Sequence, residues 1–383
     1  MASTLLHANR NAATLGAMQS QHDLGPPAWK EPTKTLARRG GRMAVAVSLP
    51  RRWERRGSAV RRPAAGPGSA VVGDPCVVWD EEDGLWRMFL VLDPPGHGQA
   101  VCDDRAGDPT AWRIAGPLRF TNPEALIGGR THKPFVVMDP RRPGQAARPG
   151  GRYYLLTVSG TAHKLVQRAW SQRLAGPWTV EPGPLIGPGA EADFDGRHAD
   201  AVSGYFFSER DEFLYFYMGY PLRAQPRRSS PYGSAQGIAL QPLNEPLARK
   251  AGVILPPHPE PGHWGAGWVG GLQLLPGREH RWVGVVNASP TPPDPADTTV
   301  SREEPPPSLG GFALCDQEWP IAGWRWTDEP IEGIADIPAD ARAAGERDNL
   351  WRHHALVLPD GTLALYYNSG AYGLEQIYVK VGH

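Results

Sequence analysis

Short apolar runs recur in pairs along this chain, and each pair is split by a turn rich in glycine, proline or acidic residues. The clearest pair is Ala201 to Phe207 and Phe213 to Met218, separated by Ser208-Glu209-Arg210-Asp211-Glu212. Such a unit predicts two antiparallel strands joined by a tight turn. A polar turn carrying Asp193, Asp195, His198 and Asp200 leads into it. Carboxylates gathered at the mouth of a buried strand mark this stretch as a candidate site.

The unit repeats. Asp74-Pro75 opens CVVWDEEDGLWRMFLVL, and Lys133-Pro134 opens FVVMDPRRPGQAARPGGRYYLLTV. Trp268 opens VGGLQLLPGREHRWVGVV, and His353-His354 opens ALVLPDGTLALYYN. With the Asp200 unit there are five copies, roughly 60 to 85 residues apart, and repeated β-meanders at such a period predict a radial array of sheets. The expected fold is all-β: a single-domain, five-bladed β-propeller over residues 43–383, preceded by a disordered extension over 1–42. Further strands are expected at Gln99 to Cys102, Ala111 to Phe120, Val166 to Val180, Gln236 to Leu255, Gly311 to Trp326 and Gln376 to Val381. Either Met43 to Ser48 or Trp53 to Val60 is expected to pair into the last blade from the N-terminus. Residues 335–348 have room for a helical turn or two, and Thr291 to Leu309 reads as a Pro-rich surface insertion.

Composition sharpens this picture. The 45 glycines and 41 prolines suit a turn-rich fold, and 14 tryptophans with 40% apolar residues argue against general disorder. Net charge is zero, but residues 1–62 hold twelve basic against three acidic side chains. The remainder is therefore about nine charges negative. Only six of the 40 basic residues are lysines. Cys76, Cys102 and Cys315 are too far apart for a CxxC pair or a disulfide framework. No apolar run reaches membrane-spanning length, and no secretory leader is visible, so the expectation is a cytoplasmic protein without membrane or nucleic-acid partners. Gly265-Ala-Gly267-Trp-Val-Gly270 matches GxGxxG, but a Pro-rich loop precedes it and strand-like runs follow, which excludes the dinucleotide fingerprint.

Inner strands of a propeller converge on a central funnel. The residues opening the five units are Asp74, Lys133, Asp200, Trp268 and His353. That set brings two acids, a cation, an aromatic ring and an imidazole to one pocket. Glycoside hydrolysis needs two carboxyl groups across the scissile bond. His132 and Lys133 suit a substrate carboxylate or hydroxyls. Trp264 and Trp268, with Trp79 and Trp351 further off, suit stacking against a sugar face. His353 and His354 are neighbours on a strand, so only one of them faces inward.

The five-unit pattern, Asp-Pro at the first inner strand and Gly176-Pro-Trp178 at a unit end together resemble the five-bladed propeller glycosidases: glycoside hydrolase family 43 and its relatives, families 32, 62, 68, 117 and 130. The resemblance covers residues from about 70 to 383 at the level of pattern. It implies a carbohydrate substrate, Asp74 as the general base that activates water, and Asp200 or Asp195 as a third acid tuning the proton donor. It also implies a glutamate opening the fourth blade, which this chain lacks. Glu260, His263 and Glu191 are the replacement candidates. No cofactor is required, and the resemblance leaves a place for a channel ion, calcium, near His353 or His354. The expected activity is an inverting glycosidase acting on a furanoside or short oligosaccharide. The alternatives are a phosphorylase of the family 130 kind and a propeller that only binds glycans.

Overall fold

The computed structural model describes residues 46–383 apart from 104–107, 129–130, 161, 223–232, 291–307, 332–336, 338, 344, 348–349, 359 and 372. The expected N-terminal extension and nearly all of the Pro-rich insertion lie outside the described residues. The rest forms five four-stranded antiparallel sheets. Blade 1 is β2 (Val71–Asp80), β3 (Leu85–Asp93), β4 (Gly96–Cys102) and β5 (Arg113–Pro117). Blade 2 is β6 (Thr131–Val136), β7 (Tyr153–Ser159), β8 (Leu165–Ser171) and β9 (Thr179–Val180). Blade 3 is β10 (His198–Phe207), β11 (Glu212–Tyr220), β12 (Ala235–Pro242) and β13 (Arg249–Leu255). Blade 4 is β14 (Trp268–Pro276), β15 (Trp282–Ser289), β16 (Leu309–Cys315) and β17 (Arg325–Pro330). Blade 5 is β18 (Trp351–Val357), β19 (Leu363–Ser369), β20 (Gln376–Gly382) and, from the other end of the chain, β1 (Trp53–Val60). One short helix, α1 (Ala339–Ala343), occupies the stretch where a helical turn was expected. Among the described residues no helix is long and apolar enough to cross a membrane.

The sequence pattern follows from position within a blade. β10, β14 and β15 are buried at every residue, because a strand near the axis is covered on both faces by neighbouring blades. The outermost strand β5 alternates between exposed and half-buried positions, as does β13 until its buried end at Ile254 and Leu255. Trp178 of the Gly-Pro-Trp motif is fully buried, its ring edge-on to Phe89 at 5.8 Å, and it ties the rim of blade 2 to blade 1.

Of the two candidate closing strands, Trp53–Val60 pairs antiparallel along β20, from Trp53 opposite Gly382 to Val60 opposite Ile377. Val47 makes only a bridge to Gly277. The closing strand is clamped by Arg55, which forms an ion pair with the buried Glu346; Glu346 also accepts a 2.8 Å hydrogen bond from Tyr367 of β19.

A bulge interrupts every inner strand at the same level and sets which residues face the funnel. Register slips between Gly73 and Cys76, His132 and Phe135, Asp200 and Ser203, Gly270 and Gln273, and Trp351 and His353. The bulged residues Asp74, Lys133 and Ala201 have φ of 53°, 56° and 45°, and Gly271 has 68°. Positive φ in a residue with a Cβ is a strained conformation held by its surroundings. The unpaired bulge also explains why Pro75 and Pro134 are tolerated in inner strands, since no ladder N–H is required there. The equivalent positions are thus Asp74, Lys133, Ala201, Gly271 and Arg352. This corrects the sequence-based set at three blades. Asp200 precedes the bulge in blade 3, Trp268 lies three residues before Gly271, and His353 follows Arg352. A one-residue bulge is invisible in a pattern of apolar runs, and one residue of register reverses side-chain direction.

Candidate active site

Asp74 occupies the bulge of β2 and is nearly buried. Its Oδ2 accepts a 3.0 Å hydrogen bond from the Lys133 backbone N–H, and its Oδ1 accepts one of 2.9 Å from the Asn368 side-chain amide. The Asp74 N–H returns a 2.6 Å bond to the Asn368 side-chain Oδ1. Asn368 can come this close because residue 73 is glycine: a Cβ there would lie 2.7 Å from the Asn368 amide nitrogen. Two blades and a strained backbone therefore fix one carboxylate.

Lys133 also reaches the other way. Its ammonium donates to Asp200 Oδ1 at 2.6 Å, and the Lys164 ammonium donates to Asp200 Oδ2 at 2.7 Å. Tyr220 adds a hydroxyl bond of 3.2 Å, and the Ala201 backbone N–H one of 2.7 Å. Asp200 has no solvent exposure. Burial alone would raise its pKa, but the two ammonium groups outweigh burial and hold it well below the usual carboxylate range. Burial lowers the Lys133 pKa, with Asp200 opposing. His132 is kept neutral by burial and then by Lys164 and Lys133. His198 accepts a 3.0 Å bond from the Lys164 N–H through Nδ1; burial and then Lys164 bring its pKa down to about 4.

An apolar wall flanks these charges. Trp268 is buried with Ala201, Met218 and Tyr220, and it stacks on Trp351 with centroids 6.4 Å apart and planes 8° from parallel. Trp351 pairs across the strand with Asn368, the residue that holds Asp74. Beneath, the buried Arg352 donates from Nη2 to the Val202 carbonyl at 2.5 Å. Its guanidinium takes the room left at Gly271, where a Cβ would stand 3.3 Å from Nη1.

The other residues nominated from sequence lie apart from this cluster. Asp195 is buried within blade 3, bound by Tyr217 at 2.9 Å and Lys250 at 2.6 Å. Glu260 and Glu191 are exposed in loops. His263 clips its own loop: Nδ1 accepts from the Gly265 N–H at 3.0 Å, and Nε2 donates to the Thr327 carbonyl at 3.2 Å. Trp264 donates to the same carbonyl at 2.8 Å and packs on Gly311 and Trp326. His353 bridges Asn287 at 2.8 Å and the Val285 carbonyl at 2.9 Å, tying blade 5 to blade 4. His354 faces the axis below the site, 6.0 Å from the Phe135 ring. Trp79 lies at the far end of β2, edge-on to Trp86. Among the described residues no cluster of histidine, cysteine or acidic side chains is arranged to hold a metal ion.

Lys164, Asn368 and Arg352 are the site residues that sequence reasoning missed. A signal existed for the lysine. In a chain where arginine supplies nearly all positive charge, the described lysines are all specifically placed. Lys133 and Lys164 meet on Asp200, Lys250 meets Asp195, and Lys380 is buried over the Tyr367 ring.

No family model matches this sequence, and no curated protein matches it. Solved structures do match by shape. A thermostable family 43 glycoside hydrolase superposes with a TM-score of 0.56 at 13% identity, covering 84% of this chain and 91% of its own. An endo-arabinase from Bacteroides thetaiotaomicron gives 0.55 at 12%, covering 82% and 95%. A structure from the family 130 mannoside phosphorylases, a family said to contain hydrolases of β-1,2 mannosidic linkages, gives 0.55 at 12%, covering 87% and 94%. At such identities the likeness is one of fold, and the fold is the five-bladed propeller these proteins share.

Proposed function

We propose that the protein is a glycoside hydrolase with Asp74 as the general base. The observation that carries this reading is the Asp74 carboxylate itself. It is oriented from both sides by Asn368 and the Lys133 N–H, beside the Trp268–Trp351 wall. A carboxylate held this way can take a proton from water as that water attacks an anomeric carbon. Inversion is the stereochemistry expected of water activated directly, with no bond to the enzyme. A furanoside or short oligosaccharide remains the proposed substrate size. Asp200, buried and bound by two lysines, is assigned to holding those lysines rather than to proton transfer.

The positions facing Asp74 from blades 3 and 4 are Ala201 and Gly271, which carry no acid. That observation favours the second reading, a propeller that binds glycans without cleaving them. A panel of activated aryl glycosides separates the two, because departure of a good leaving group depends least on a proton donor. Turnover that is abolished by Asp74→Asn and releases the inverted anomer by NMR supports the hydrolase. Saturable binding with no turnover across the panel, with or without phosphate, leaves the binding protein.

A further inference from the structure

We propose that Glu375 is the proton donor that blade 4 lacks, supplied instead by the loop between β19 and β20. The proposal rests on the hydrolase reading above and completes its pair of carboxyl groups.

The path of the chain puts this glutamate beside the base. β19 carries Asn368, which holds Asp74, and ends at Ser369. Glu375 stands immediately before β20, where the hairpin returns with Ser369 opposite Gln376. The return can pass this closely because residue 370 is glycine: a Cβ there would stand 3.2 Å from the Glu375 Cα. Glu375 is also tied across to blade 1, since its carbonyl accepts a 3.0 Å hydrogen bond from the Val72 N–H. Val72 lies two residues before Asp74 on β2. The other acids are placed differently. Asp200 and Asp195 are committed to lysines, and Glu260 and Glu191 lie in exposed loops. Glu212 sits at the opposite end of the β10–β11 hairpin from Asp200.

The surroundings suit a carboxyl that keeps its proton. Glu375 is half-buried, withdrawn from water yet open to a ligand. Burial raises its pKa above the usual carboxylate range, against hydrogen bonds from its own N–H and that of Gly373. The charge of Asp74 raises it further, and Arg62 opposes. Asp74 accepts two hydrogen bonds as a carboxylate does, and its charge discourages a second ionisation next to it. In the step itself, Asp74 takes a proton from water as the water oxygen bonds to the anomeric carbon. The glycosidic C–O bond breaks, its electron pair stays on the leaving oxygen, and the Glu375 proton moves to that oxygen. The products are the inverted sugar and the free alcohol. Glu375 is left ionised and Asp74 protonated, and exchange with bulk water resets both.

The test is a leaving-group series on the full chain, with and without Glu375→Gln. The probes are the 4-nitrophenyl, phenyl and methyl glycosides of the sugar that the aryl panel shows to be cleaved. Glu375→Gln is expected to lower kcat/KM on the methyl glycoside by about 10²–10⁴-fold and on the 4-nitrophenyl glycoside far less, because a good leaving group departs without the proton. It should also remove the alkaline limb of the pH profile, which reports loss of the proton from the acid. Glu375→Asp keeps an acid in place, so it should recover part of the rate and move the alkaline limb without abolishing it. Melting temperatures check that both variants fold. A uniform fall across the series, or no fall, overturns the proposal and leaves the hydrolase reading intact. So does an alkaline limb that survives in Glu375→Gln or stays unmoved in Glu375→Asp. Failure of the unsubstituted protein to cleave any glycoside of the panel removes the hydrolase reading and the proposal with it.

Discussion

The Lys133 ammonium lies 2.6 Å from Asp200, while its backbone N–H lies 3.0 Å from Asp74, so one residue of blade 2 joins acids from blades 1 and 3. This geometry assigns the two acids different work. Asp74 is held by neutral donors and keeps a little exposure; Asp200 is sealed beneath two cations. Asp200→Asn strands both ammonium groups against a neutral amide. Removing one partner from a buried ionic cluster costs about 3–5 kcal/mol, so a large drop in denaturation midpoint is expected. A variant as stable as the parent would refute the clamp. The same pairing gives a pH dependence. The Asp200 pKa is depressed by folding, so its stabilisation is full above the ordinary carboxylate range and declines as pH falls below it.

Asp74→Asn preserves size and an acceptor for one of the two donors, the Lys133 N–H or the Asn368 amide, so the fold should hold with one hydrogen bond lost. Loss of a general base should lower kcat by about 10²–10⁴ with little change in KM. Full activity in this variant, measured on an activated aryl glycoside, would end the hydrolase reading as drawn.

Gly73→Ala tests the orientation of that base without touching it. The new methyl would press on Asn368 and push its amide off Asp74. Activity should fall more than stability, and pairing Gly73→Ala with Asn368→Ala should cost little more than either alone. Additive losses would show that Asn368 does not act through Asp74.

Closure of the ring depends on β1. Deleting residues 1–42 should leave the melting temperature unchanged. Deleting 1–60 removes the strand on β20 together with Arg55 and should lower the melting temperature sharply, because it uncovers a sheet edge. Glu346→Gln should reproduce part of that loss. Equal melting temperatures for the two truncations would contradict it.

Buried histidines predict acid sensitivity. Burial brings the pKa of His97, His353 and His354 down to about 3 from 6.5. The unfolded chain binds more protons between those values, so stability is complete above pH 6.5 and falls on acidification. Each such histidine contributes roughly 1.4 kcal/mol per pH unit across that window. Urea titrations at several pH values should show this slope, and His353→Asn should make it shallower. Because His353 ties blade 5 to blade 4, its replacement should lower stability more than activity, the opposite of what a channel-facing histidine would do.

The chain by itself determined the architecture. Paired apolar runs with short turns forced β-meanders and their number fixed five blades; two stretches before the first blade could have closed the ring, and only the structure selects Trp53–Val60. Each of these rests on local periodicity and on the need to cover edges. The sequence also brought Asp74, Lys133 and Asp200 to one funnel. Tertiary structure decided what they do there. A bulge in each inner strand shifted the facing position from Asp200 to Ala201 and from His353 to Arg352, and bulges leave no mark on hydrophobic periodicity. Lys164 enters from the turn just before β8 and Asn368 from β19, and their meeting with Asp200 and Asp74 exists only once the ring closes. Glu260 and His263 looked available because a linear reading cannot see that one loop leaves its acid in solvent and spends its imidazole on its own backbone.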